Sequence, residues 1–173
     1  MKRFTVLLAL AAGAAPALGA DVVNQPVLTL DGAKSIVAAA VAYAKSNGAP
    51  GGAIAVVDIA GTVIYLERLD DTFPNASEVA IGKARTAALF RKPTRAFEEA
   101  VNQGRFAMLS VPAVAPFTAL QGGVPVELDG KVVGAIGVSG AASAAQDEEI
   151  ASAGAARLGK AAPMVSDSKD GRR

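Results

Sequence analysis

The chain has 173 residues, of which 51% are hydrophobic and 19% charged, and it contains no histidine, cysteine or tryptophan. The length fits one domain with a single hydrophobic core. The missing residue types exclude a Ser-His-Asp triad, a histidine-bearing zinc site, a thiolate nucleophile and a disulfide framework. Carboxylates, Lys, Arg, Tyr, Ser and backbone amides therefore remain as the groups that can do chemistry.

The N-terminus has the order of segments that is typical of a secretory signal peptide. Lys2 and Arg3 supply positive charge, residues 4–12 form an apolar run, and small residues precede Asp21. The apolar run is shorter than the ~20 residues that span a bilayer, which disfavours a membrane anchor. We therefore predict a signal peptide over residues 1–20 and a periplasmic or secreted mature protein.

The charge balance of the mature chain argues against nucleic-acid binding. Loss of the signal peptide lowers the basic count from 17 to 15 against 16 acidic residues, so the net charge is about −1. Nucleic-acid binding requires a clear basic excess on one face. No apolar run of the mature chain reaches transmembrane length, so we also expect no membrane span.

Helical spacing of apolar residues predicts four helices. They cover roughly residues 30–47, 76–90, 94–104 and 143–160. Thr29 and Thr94 are expected to cap the first and third helices through their hydroxyls, and Ser143 with Gln146 has the spacing of a capping box. The helix dipole explains the three acidic residues of the last helix's first turn, Asp147, Glu148 and Glu149.

Two glycine pairs each introduce a predicted β-hairpin. Gly51-Gly52 precedes strands at about 53–59 and 62–69, and Gly122-Gly123 precedes a hairpin over about 124–140 that turns at Asp129-Gly130. Two isolated hairpins cannot bury their apolar faces. The sequence therefore predicts one antiparallel β-sheet flanked by α-helices, an α+β layered domain.

Two further segments fall outside this regular pattern. Residues 105–120 contain Pro112 and Pro116, which forbid a continuous helix or a central strand. Residues 161–173 are rich in polar and charged residues, and we expect a disordered tail. The folded domain is thus predicted to cover residues 21–160.

Several motifs in this framework carry a resemblance to a known family. The most specific motifs are Gly122-Gly123-Val124-Pro125, the run from Gly134 to Gly140, and Gln146-Asp147. Supporting matches are Ile54–Asp58 with Gly61, Glu67–Asp70, and Lys83-Ala84. With these motifs the sequence resembles the GlcG/HbpS-like family of haem-binding proteins, which also occurs as the C-terminal domain of PduO-type proteins. The resemblance covers about residues 28–160.

The resemblance implies a fold, an assembly state and a ligand class. The fold is profilin-like or PAS-like, with an antiparallel sheet flanked by helices. The resemblance implies homo-oligomers, and octamers are known in the family. It also implies haem as the ligand or, as a second choice, another tetrapyrrole such as a corrinoid. An exported member resembles the branch that captures or senses haem.

The lack of histidine is a departure from family members that bind the haem iron through histidine. Phenolate and thioether groups are also known haem ligands. Haem is then held by contacts to the macrocycle alone, by a hydroxyl, or by one of five side chains: Tyr43, Tyr65, Lys83, Met108 or Met164.

Six residues form the predicted cofactor-binding set, and the metal ligand stays unknown. The set is Tyr65, Arg68, Lys83, Arg85, Gly122 and Gly123. Arg and Lys can clamp haem propionates, although a charged run is also typical of a solvated helix face. The glycines indicate close approach of a ligand, of another backbone or of a partner subunit.

The same residues allow other interpretations. The alternative role for Arg68 is a structural ion pair with Asp58, because buried charges are usually paired. No nucleophile or general base stands out, so the sequence favours a binding protein over an enzyme and predicts no catalytic residue. The alternatives left open are a protein that acts on a small organic acid and an accessory to a membrane sensor.

Overall fold

The computed structural model describes residues 25–159. The predicted signal peptide and the predicted disordered tail lie outside the described residues. The elements in chain order are α1 (Leu30–Ser46), β1 (Ala53–Asp58), β2 (Val63–Arg68), α2 (Ala76–Phe90), α3 (Arg95–Asn102), a 3-10 helix (Phe106–Ala113), β3 (Gly123–Leu128), β4 (Lys131–Ser139) and α4 (Ala144–Gly159).

The four strands form one antiparallel sheet in the order β2-β1-β4-β3. Each predicted hairpin supplies one edge strand and one central strand, and β1 and β4 pair in the middle. The central strands are almost fully buried, because helices cover both of their faces. The predicted α+β fold with an antiparallel sheet flanked by helices is confirmed.

The helices form two layers of different character. On one face α1 and α4 pack on the sheet through larger apolar residues. Ile36 of α1 and Ile150 of α4 belong to one cluster with Ile54 and Ile136 of the central strands. On the other face α2 presents alanines to the sheet, among them Ala80, Ala84 and Ala87. Small side chains let the α2 backbone approach the strands closely, which prepares the geometry of the site described below.

Capping was predicted correctly for α1 and wrongly for α3. The Thr29 hydroxyl accepts a hydrogen bond of 3.1 Å from the backbone N–H of Gly32. Thr94 makes no such cap bond. Its hydroxyl instead accepts a 2.8 Å bond from the backbone N–H of Gly123, at the start of β3. The Thr94 hydroxyl therefore bonds to a residue distant in sequence, Gly123, and not to the N-terminus of α3.

The predicted ion pair between Asp58 and Arg68 is absent. Register explains this, because Arg68 lies opposite Ala53, at the other end of β1 from Asp58. The Asp58 carboxylate accepts hydrogen bonds from the backbone N–H groups of Ala60 and Thr62 and so shapes the hairpin turn. Arg68 donates to the carbonyl oxygen of Thr72 at 2.6 Å.

The irregular stretch before β3 contains the short 3-10 helix, none of whose residues is buried. From residue 106 to residue 126, a range that includes the 3-10 helix and the start of β3, the chain carries no charged side chain. Within residues 25–159, no helix has both the length and the apolar character needed to cross a membrane.

Candidate functional site

A buried ion pair joins α2 to the first turn of α4. The Lys83 ammonium lies 2.8 Å from Asp147 Oδ2, and the two residues are 3% and 6% exposed. Lys83 also donates to the carbonyl oxygen of Val138 at 2.8 Å, and the second carboxylate oxygen of Asp147 accepts from the N–H of Ala141. The pair therefore fixes α2, the end of β4 and the start of α4 to one another.

Gly122 and Gly123 lie directly against this pair. A Cβ on Gly122 would stand 3.0 Å from Lys83 Nζ and 2.8 Å from the Val138 carbonyl oxygen, and its φ of +120° disfavours any side chain. A Cβ on Gly123 would overlap the backbone carbonyl of Lys83 and approach Thr94 Cγ2 to 2.7 Å. The close approach of another backbone, one of the alternatives predicted for these glycines, is therefore present, and approach of a ligand or of a partner subunit stays a prediction.

A cavity of about 360 Å³ opens beside the ion pair. Its polar lining includes Lys83, Asp147, Ser139 and Glu98. Its apolar lining includes Phe73, Val79 and Leu120. A pocket with one apolar wall and a few convergent polar groups is typical of small-molecule sites.

A second depression of about 510 Å³ adjoins the first, and Gln121 lines both. The Gln121 side-chain amide donates to Glu148 at 2.6 Å, and its backbone N–H donates to Glu98. Arg95 approaches Glu148 at 3.4 Å from the other side. This polar network separates the two openings. Tyr43 lines the second depression and lies 3.5 Å from Glu149 Oε2.

The structure brings together half of the predicted cofactor-binding set. Lys83, Gly122 and Gly123 share the site around the ion pair. Arg85 lies elsewhere, where its Nε donates to the Gly61 carbonyl oxygen at 3.1 Å in the turn between β1 and β2. Arg68 lies with Leu69, Asp70 and Asp71 around a separate surface depression. Their role in binding stays a prediction.

Tyr65 lies on edge strand β2, apart from the ion pair, and its phenol has a raised pKa. The hydroxyl lies 3.3 Å from Glu67 Oε2. The negative charge of Glu67, with contributions from desolvation and this hydrogen bond, raises the pKa of Tyr65 above its ordinary 10.0. Phenolate ligation of a metal at Tyr65 would have to overcome this preference.

Asp147 is the principal site residue absent from the predicted cofactor-binding set. The sequence analysis placed Asp147 in a family motif with Gln146 and explained its charge by the helix dipole, so its pairing with Lys83 was not predicted. Lys83 did carry a signal, because it stands in the alanine stripe of α2 next to Ala80, Ala84 and Ala87. A lysine on such a face indicates a buried, partnered charge.

Across the described residues 25–159, no group of three or more acidic, histidine or cysteine side chains is placed to hold a metal ion.

The uncharged 3-10 segment provides a different kind of surface. Its large apolar side chains are exposed, with Phe106 at 66%, Leu109 at 58% and the following Val114 at 87%. Met108 lies half-buried among them.

Comparison with known proteins places this chain in one family. A family model described as "Haem degrading protein HbpS-like" matches residues 28–156. Protein GlcG of Escherichia coli K12 is 49% identical over 86 residues, which cover 50% of this chain and 62% of GlcG. The aligned part thus spans about three fifths of the length of that relative.

Solved structures agree in both fold and sequence. A double mutant of HbpS from Streptomyces reticuli is 34% identical with a TM-score of 0.70, and the match covers 86% of this chain and 98% of HbpS. PduOC, solved as a complex with haem, is 26% identical with a TM-score of 0.68, over 77% of this chain and 96% of PduOC. The chain therefore belongs to the HbpS-like family.

Proposed function

We propose that this chain is an exported haem-binding protein that captures or senses haem without histidine ligation. Two comparisons support the ligand: membership of the HbpS-like family, and similarity to PduOC, which was solved with haem bound. The structural observation that carries the proposal is the exposed, uncharged segment of residues 106–120. Large exposed apolar patches mark ligand or partner sites.

The apolar segment suits the broad face of a porphyrin ring. Burial of ring and side-chain surface supplies about 25 cal/mol per Å² of apolar area, which is the main source of affinity for such a ligand. Phe106, Leu109 and Leu120 offer that area from exposed positions. Arg105 directly precedes the segment and is exposed, so it is available to a haem propionate.

Among the candidate iron ligands in the described residues, Met108 fits best. Its thioether belongs to the apolar segment and needs no deprotonation. Lys83 is engaged by Asp147 and the Val138 carbonyl, and Glu67 raises the pKa of the Tyr65 phenol. Tyr43 lies beside Glu149, and Met164 lies outside the described residues.

We further propose that the chain self-associates through the same segment. An exposed 3-10 helix with no buried residue leaves apolar area for a second copy to cover. Haem would then lie in a slot between two copies, with its ring shielded on both faces. Sedimentation of the protein with and without hemin tests this, and a protein that stays monomeric in both conditions would contradict it.

A hemin titration of the chain from Asp21 onward, followed by Soret absorbance, tests the ligand. We expect a saturable band, a weaker response to iron-free protoporphyrin, and a changed spectrum for Met108→Leu. Tyr65→Phe serves as the matched variant and should leave the spectrum unaltered. A response that rises without saturation would remove haem from the proposal. A Soret band that decays with time in the presence of a reductant would indicate that the protein degrades haem as well as binding it.

Export is tested by fractionating cells that express the full chain. The proposal predicts a mature protein outside the cytoplasm, shortened at or near Asp21, and an intact chain in the cytoplasm would contradict it. Action on a small organic acid and service to a membrane sensor stay predictions from the sequence.

A further inference from the structure

The cavity beside Lys83 has features that the proposed haem site does not use. Three of its polar lining residues are more than nine-tenths buried: Lys83 is 3% exposed, Ser139 4% and Asp147 6%. A lysine ammonium has three protons to donate. Two of them go to Asp147 Oδ2 and to the Val138 carbonyl oxygen, which leaves one donor over.

Ser139 offers the second free group. It is the last residue of β4 and lines the cavity, and its hydroxyl forms none of the side-chain hydrogen bonds found within residues 25–159. No fully enclosed side-chain polar atom in these residues lacks a partner, so this hydroxyl is open to the cavity. A hydroxyl that is open to a cavity can hydrogen-bond to water or to a ligand there. The Ser139 hydroxyl and the third proton of Lys83 line the same cavity, so both are available to donate to an oxygen atom of another molecule.

The charges around the cavity define which molecule fits. The positive charge of Lys83 is balanced by Asp147, and Glu98 adds a further carboxylate to the lining. An anionic ligand would lie near the carboxylates of Asp147 and Glu98 and would have to share the Lys83 cation with Asp147. Such an arrangement is unfavourable in a partly desolvated site. A neutral group with an acceptor oxygen and an adjacent donor satisfies Lys83, Ser139 and the carboxylates together.

The apolar wall and the volume set the size of the ligand. Phe73 and Leu120 are each about half exposed and face the opening together with Val79. At about 360 Å³ the cavity lies near the lower end of the roughly 300–1,000 Å³ range of small-molecule sites. An aliphatic body of a few carbon atoms therefore fits better than a large ring system.

We propose that this cavity is a binding site for a small neutral amide or alcohol, whose oxygen accepts from Lys83 and Ser139 while its aliphatic part contacts Phe73 and Leu120. The cavity shares Leu120 with the proposed haem surface but uses neither the 3-10 helix nor Met108, and its ligand can be tested on the protein without hemin. It assigns Lys83 a binding role in addition to its structural one.

Three probes that share an isopropyl group test the proposal by proton–nitrogen NMR titration of the apo-protein: isobutyramide, isobutyrate and isobutylammonium. We expect saturable shifts with isobutyramide at the backbone amides of Gln121 and Ala141, and at least tenfold weaker responses to the two charged probes. Ser139→Ala should weaken isobutyramide binding about fivefold, as expected for loss of one hydrogen bond.

A variant pair locates the binding without disturbing the ion pair. Ala144 is exposed and lines this cavity, whereas Ala145 is exposed and lines the neighbouring depression. Ala144→Trp should block isobutyramide, and Ala145→Trp should not. The proposal is overturned if isobutyramide gives no saturable shifts, if isobutyrate binds equally well, or if Ala144→Trp binds like the unaltered chain.

Discussion

Lys83 and Asp147, which are 64 residues apart in sequence, meet at 2.8 Å in the interior and join helices on opposite faces of the sheet. The contact passes beside the end of β4, whose Val138 carbonyl accepts a second hydrogen bond from Lys83. One pair of charges therefore fixes three elements around the candidate site, and its removal should be felt throughout the domain.

Lys83→Met should lower the free energy of unfolding by about 3–5 kcal/mol, because it leaves a buried carboxylate without its cation. Urea unfolding measures the loss. The double variant Lys83→Met/Asp147→Asn removes both charges and should be more stable than the single variant. Lys92→Met, at an exposed position, is the control and should change stability by less than about 0.5 kcal/mol. A Lys83→Met protein as stable as this control would contradict a structural role for the pair.

Gly137→Ala should destabilise the domain by about 1–3 kcal/mol or more through overpacking. A Cβ at this position would overlap the Ala80 carbonyl oxygen and approach the Ala84 amide nitrogen to 2.5 Å, so α2 would have to move off the sheet. Thermal unfolding checks the prediction. Gly48→Asn is the matched control, because an added Cβ there meets nothing within 4 Å and Asn tolerates its left-handed backbone. Equal melting temperatures for both variants would refute the close-packing account.

Thr94→Val should cost about 1–3 kcal/mol, because the buried N–H of Gly123 loses its acceptor. Thr94→Ser keeps the hydroxyl and should retain most of the stability. Chemical denaturation of the two variants separates the hydrogen bond from the volume of the side chain. If Val is tolerated as well as Ser, the tie between α3 and β3 rests on packing and on the remaining Thr94 N–H bond to the Gly123 carbonyl.

Glu67→Gln should lower the pKa of Tyr65 toward 10.0, because it removes the negative charge that contributes most to the elevation. A raised phenol pKa means that the folded protein holds this proton more tightly than the unfolded chain. The associated stability is therefore present below pH 10 and is lost as the pH rises through the folded-state pKa. Near-ultraviolet phenolate absorbance in a Tyr43→Phe background reports the titration. An unchanged Tyr65 pKa in the variant would show that another cause dominates.

Local signals were sufficient for most of the fold. The glycine pairs and the Asp129-Gly130 turn predicted both hairpins, and the need to bury their faces predicted a common sheet. The apolar spacing placed α2 with the bounds that the structure has. Thr29 capped as expected because its partner lies three residues away in the same helix.

The site was harder to predict because its contacts are long-range. Thr94 has the side chain of a helix cap, yet it bonds a residue 29 positions later in the chain. Tyr65, Arg68 and Arg85 have suitable chemistry for a cofactor, but strand register and turn geometry place them away from the ion pair. Which polar residues converge is decided by tertiary packing, and the spacing of residues in the sequence does not contain that information.

Haem binding on the 3-10 segment is the central claim, and a paired-variant hemin titration tests it most directly. Leu109→Glu introduces charge into the segment, and Val27→Glu introduces the same charge at an exposed apolar position before α1. The account predicts a saturable Soret band for the unaltered chain and for Val27→Glu, with affinity reduced at least tenfold for Leu109→Glu. Equal saturable binding by all three proteins would contradict the assigned surface, and no saturable band for the unaltered chain would contradict haem binding itself.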